Sequence, residues 1–130
     1  MNPKHVRTEC DLDDDPRLFT ALGAIVEHSA AQVGVPEARA KKLVEATRKC
    51  CKEAWSAHQN DGHHMRVVCE EFEDRVEVKL KKPSGEKFCE GFNLSKDDVA
   101  KVSPETHDGK FTLTLTEFAS PAQAEKKAGS

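Results

Sequence analysis

The sequence predicts an α+β fold of two layers, with two long helices packed on one face of a mixed, mostly antiparallel sheet. Three observations lead there. Val35 to His58 repeats apolar or small residues at the three-four spacing of one buried helix face. A second stretch, Pro16 to Gln32, repeats that spacing just before it. Arg75–Lys81 and Lys110–Phe118 alternate apolar with polar residues, as half-buried strands do. The simplest burial of two striped helices and one-faced strands is helices laid across a sheet.

In chain order, His5 to Cys10 reads as a short strand, with Val6, Thr8 and Cys10 on one face and Leu12 continuing the alternation. Asp13-Asp14-Asp15-Pro16 turns the chain and starts a helix, where acidic residues suit the positive end of the helix dipole. Leu18, Phe19, Leu22, Ile25, Val26 and Ser29 form its stripe, and Gly34 stops it. Pro36 fits the start of the long helix, because its missing N–H would be unpaired there anyway. Ala40, Leu43, Val44, Thr47, Cys50, Cys51, Ala54 and Trp55 then form the buried face, and Asn60-Asp61-Gly62 ends it. Arg39, Lys41, Lys42, Arg48, Lys49 and Lys52 read as a solvated face interrupted by Glu37, Glu45 and Glu53.

Met65 to Phe72 and Arg75 to Lys81 are spaced as an antiparallel hairpin around Glu73-Asp74. In the segment 86–108, Ser95-Lys96-Asp97-Asp98 predicts a capped short helix reaching Val102. Asp108-Gly109 is a turn. Lys110 to Phe118 is a strand with Phe111, Leu113 and Leu115 inward and threonines outward. One domain over residues 1–118 and a disordered tail over 119–130 are expected.

Composition excludes several classes. The 130 residues are 37% hydrophobic and 33% charged, with a formal net charge of −3, so no basic field invites nucleic acid. No apolar run approaches the ~18–20 residues of a membrane span, and no signal core opens the chain, so a cytoplasmic location is expected. Five cysteines without paired spacing argue for reduced thiols, and Cys50-Cys51 read as small apolar fillers. His58, His63 and His64 sit near Asp61, but their spacing lacks the regularity of a zinc site, so no metal is expected. Cys89, Ser84, Ser95 and His107 have no spacing that fixes a nucleophilic triad.

These residues together resemble the anti-sigma regulatory factors, the small serine-kinase members of the histidine-kinase-like ATPase superfamily, from about Val6 to Phe118. Asp15-Pro16-Arg17-Leu18 is similar to the family's first helix start. Val33-Gly34-Val35-Pro36-Glu37 is similar to its link between helices, and the helix beyond matches without a gap through Trp55 to His58. The hairpin at Asp74–Lys81 and the strand Gly109–Phe118 complete the likeness. The resemblance implies the superfamily's fold with a shortened lid.

The catalytic motifs depart from that pattern. Family members carry a base glutamate on the long helix and a magnesium-binding asparagine one turn later. Matching from Pro36 puts Lys49 and Glu53 at those positions. The adenine-binding Asp-x-Gly-x-Gly falls on Lys82, Ser84 and Glu86, with Gly85 one residue from register. Lys82 offers donors where the adenine amino group needs an acceptor. Glu86 puts charge and bulk where glycine permits close approach. Lys49 is no carboxylate base, while Glu53 keeps the chemistry to ligate magnesium. No glycine-rich phosphate cradle is visible between Pro83 and Gly109.

The resemblance therefore implies a bacterial regulatory module that binds a protein, a sigma factor or an anti-sigma antagonist, with no cofactor and no kinase activity. It leaves self-association open. One alternative is an active serine/threonine kinase that phosphorylates an antagonist, holding ATP and magnesium through Glu53, Lys82, Ser84, Gly85 and Glu86. The other is an unrelated α/β interaction domain.

Overall fold

The computed structural model describes residues 6–12, 16–57, 65–82, 99–107 and 110–119. Within them the elements run β1 (Val6–Leu12), α1 (Pro16–Val33), α2 (Glu37–Ala57), β2 (Met65–Glu71), β3 (Arg75–Lys82), β4 (Lys101–His107) and β5 (Lys110–Phe118). The strands form one sheet in the order β1-β2-β3-β5-β4. Every neighbouring pair among the described strands is antiparallel, in keeping with the expected two-layer fold on a mostly antiparallel sheet, and no parallel pair makes it mixed. The order contains one crossover: β4 follows β3 in the chain but lies beyond β5, so β3 and β4 run the same way with β5 antiparallel between them.

The link between the helices has a specific geometry. Gly34 has φ 98°, a left-handed conformation that glycine adopts without a Cβ penalty. Its N–H donates to the Ala31 carbonyl at 3.1 Å, and the Val35 N–H donates to the Ala30 carbonyl at 3.0 Å. These are the paired bonds of a Schellman stop, accompanied by packing of Val35 and Ala30 in one core. The Pro36 carbonyl then accepts the first bond of α2 from the Ala40 N–H at 2.9 Å. Glu37 stands in the first turn, where the helix dipole favours an anion.

α1 packs on β2 and β3, and α2 packs on β5 and against α1. Leu22, Val26 and Ala30 from α1 meet Leu43, Val44 and Cys50 from α2 in one core. The sheet contributes Val67, Cys69, Val76, Val78, Leu80, Leu113 and Leu115. Cys50 and Cys51 are both fully buried in it, as small apolar fillers would be. The Thr47 hydroxyl, also buried, donates to the Leu43 carbonyl at 2.8 Å, so the helix interior absorbs that polar group locally.

A fifth strand stands where a short helix was expected to reach Val102. Residues Lys101–His107 are extended as β4 and pair with β5 from Lys101 opposite Thr116 to His107 opposite Lys110. Sheet hydrogen bonding along β5 outweighs the weak capping pattern of Ser95 to Asp98, which itself lies outside the described residues. Ala119, assigned to the tail by its sequence, belongs to the fold: its N–H donates to the Asp74 carbonyl at 2.9 Å. Residues 120–130 lie outside the described residues.

The face of the sheet away from the helices is charged. Lys79 pairs with Glu70 at 2.7 Å and Arg75 with Glu77 at 2.8 Å. Arg75 also stacks its guanidinium over the Phe72 ring at 4.1 Å, clamping the β2–β3 turn. Among the described residues no helix is long and apolar enough to cross a membrane.

Candidate functional site

The position of α2 over the sheet fixes where a site of the expected kind would lie. Its first turns are pinned by Arg39, whose Nη2 and Nε donate to the Glu117 carboxylate at 2.6 and 3.2 Å. Glu117 sits near the end of β5, opposite Val76 at the beginning of β3. Strand alternation turns it toward the helices, where its side chain is 3% exposed. The same carboxylate accepts the Ala100 N–H at 2.9 Å, so it ties helix, strand and the approach to β4 together. A buried carboxylate needs this full set of donors to offset its lost hydration.

From that anchor α2 runs toward the end of the sheet where β3 finishes. Lys49 lies about 15 Å along the helix from Arg39. Lys82 lies about 20 Å along β3 from Val76. The second half of α2 and the last residue of β3 thus share one end of the described fold. Gly23 of α1 faces the same half of α2: a Cβ there would meet Arg48 Nη2 at 2.5 Å, so the guanidinium lies in the notch that glycine leaves.

The structure places the expected residues unevenly. Lys49 is exposed on α2. Glu53 lies one turn further along the same helix, though its side chain lies outside the described residues, as does that of Trp55. Lys82 ends β3 opposite Phe111. Ser84, Gly85 and Glu86 lie outside the described residues, as do His58, His63, His64, Ser95 and Cys89. His107 closes β4, across the sheet from β3 with β5 between them. Among the described residues no group of three His, Cys, Asp or Glu side chains could hold a metal ion. On this half of α2 Arg48 is half-buried in the notch at Gly23 and Lys49 is exposed, while Cys50 and Cys51 are buried.

No family model and no curated protein matches the sequence. The structure is similar to a crystal structure of the RsbU and RsbW domains of Rv1364c from Mycobacterium tuberculosis, with TM-score 0.61 and 16% identity over 89% of this chain. The chain spans 33% of the length of that protein. The likeness shows a shared fold of two helices on an open antiparallel sheet.

Two features of the fold escape a reading by motif. One is the Arg39–Glu117 anchor. The signal for it was present, because alternation from Leu113 and Leu115 carries Glu117 inward. The other is Cys69 on β2. Burial pushes its thiol up from 9.0 to about 11, against a hydrogen bond with Ser29 of α1, while the Glu71 carboxylate adds to the rise. The proton is therefore held more tightly folded than unfolded. The resulting stability is complete below the unfolded value and is lost as pH rises from 9.0 toward about 11.

Between about pH 8.5 and about pH 10.5 the wild type should lose about 2 kcal/mol more than Cys69→Ala. Urea unfolding of both proteins at each pH measures the difference. The chain has no tyrosine, so lysines and other thiols are the remaining groups in that window and are common to both proteins. Equal pH dependence would remove the burial account of Cys69.

Proposed function

We propose that this chain is a regulatory protein-binding module on the anti-sigma-factor scaffold, working without nucleotide and without phosphotransfer. The observation that carries the reading is the exposed Lys49 on α2, at the position where the resemblance requires a catalytic carboxylate. Lys82 at the end of β3 adds to it, since an ammonium cannot accept the adenine amino group's hydrogen bond. The fold likeness to a protein with an RsbW domain supports the scaffold half of the reading. The partner is a sigma factor or an antagonist of one, and the site of action is the cytoplasm.

The test is a titration of the purified chain with purified sigma factors and antagonist domains of its source organism, in nucleotide-free buffer. A complex of micromolar strength or tighter, about −8 kcal/mol, unchanged by ATP and magnesium, is expected with one of them. Association that requires ATP, or phosphate transferred to a partner serine and abolished by Glu53→Ala, would replace this reading with the kinase one.

A further inference from the structure

The arginines of this protein are engaged, with one exception. Arg7 pairs with Glu9, Arg39 with Glu117, and Arg75 with Glu77 and Asp74. Arg17 and Arg66 are engaged as well. Arg48 of α2 differs. It is half-buried, its Nε is closed off from water, and no described residue offers that N–H an acceptor. Nor does any described residue form an ion pair with its guanidinium.

Packing rather than charge pairing holds the group in place. Gly23 of α1 is buried, and a Cβ on it would stand 2.5 Å from Arg48 Nη2 and 3.0 Å from Cζ and Nε. The guanidinium thus lies where a side chain would otherwise project, with its Nε against α1 and its Nη groups as the donors left for a ligand. Glu45, one turn before Arg48, and Glu27, one turn after Gly23, are exposed, and neither bonds it. A cation drawn partly out of water with no acceptor carries a cost that an incoming anion relieves. A fork already fixed by packing also loses little freedom when the anion arrives.

The surroundings select the anion. With Glu27 and Glu45 each within a turn, a doubly charged phosphate meets more repulsion than a single carboxylate does. Thr20 and Ala24, exposed on α1 within a turn of Gly23, are small, so a chain segment can approach the helix closely there. We propose that the notch at Gly23 docks an acidic segment of a partner protein, one aspartate or glutamate carboxylate taking two parallel hydrogen bonds from the Arg48 guanidinium. This deepens the module reading by naming the chemistry of the partner, and rests on it only in taking the partner to be a protein.

NMR titration of the full chain with hexaglutamate at about 50 mM salt, followed at the Gly23 amide, tests it. Wild type shows a saturable shift. Arg48→Lys, which keeps the charge and removes the planar fork, raises the dissociation constant at least about fivefold. Lys42→Gln, which removes a charge at an exposed position elsewhere on α2, changes it by less than about threefold. Circular dichroism checks that both variants keep the fold. Absence of a saturable shift up to about 10 mM peptide would overturn the proposal. So would Arg48→Lys binding as wild type does, or Lys42→Gln losing as much as Arg48→Lys. The peptide result is separate from the titration with sigma factors and antagonists, so either can fail while the other stands.

Discussion

Replacing Arg39 with alanine is expected to lower the unfolding free energy by about 3–5 kcal/mol, a large share of what a domain of this size has to lose. Arg39 is itself partly exposed, at 29%, and its surface position suggests a mild substitution. The cost arises on the other partner. Glu117 is 3% exposed, and without the guanidinium its carboxylate keeps, among the described residues, only the Ala100 N–H. That leaves a buried anion whose lost hydration is no longer offset. Glu117→Gln should cost less, about 1–2 kcal/mol, because the amide oxygen still accepts from Ala100 and no charge is stranded. The double replacement Arg39→Met with Glu117→Leu should recover much of the loss, since well-packed apolar pairs often equal buried ion pairs. Urea unfolding of the wild type, Arg39→Met, Glu117→Leu and the double replacement closes a double-mutant cycle. Additive effects would show that the two side chains do not depend on one another.

The second large effect separates two residues of equal burial. Leu80 and Val68 are both 0% exposed, yet they lie on opposite faces of the sheet. Leu80 stands between Val67 and Leu113 in the core beneath the helices. Its truncation to alanine leaves a cavity lined by packed side chains that relax only in part, and about 2–5 kcal/mol is expected. Val68 faces away from the helices, between Glu9 and Lys79. Lys79, directly opposite on β3, reaches diagonally across to Glu70 of β2 at 2.7 Å. Long flexible neighbours collapse into a small gap, so Val68→Ala should cost only about 1 kcal/mol. Denaturant midpoints of the two variants decide between this account and one in which burial alone sets the cost.

Much of the fold was legible because its elements carry two signals each. α1 and α2 have an apolar stripe and a punctuated end, the latter at Gly34 and Pro36. β3 and β5 have strict alternation. β4 was read as the end of a helix for a physical reason. An edge strand need bury only one side, and Lys101–His107 offers Val102 as its single aliphatic residue, with a proline in the middle. Glu117 and Arg39 were hidden by their charge, which reads as solvent exposure in any single segment. Their pairing joins residues far apart in the chain and is visible only once α2 is laid on the sheet. At the candidate site, Lys49 stands on the second half of α2 and Lys82 is the last residue of β3. Their bearing on chemistry still rests on the motif comparison, because Ser84 to Glu86 fall outside the described residues.

Isothermal titration of the folded, purified chain with ATP and ADP, each with and without magnesium, tests the central claim most directly. The account predicts no binding heat up to millimolar nucleotide under any of these conditions. Magnesium-dependent binding at micromolar strength, about −8 kcal/mol, would contradict it and establish a working nucleotide site around Glu53 and Lys82.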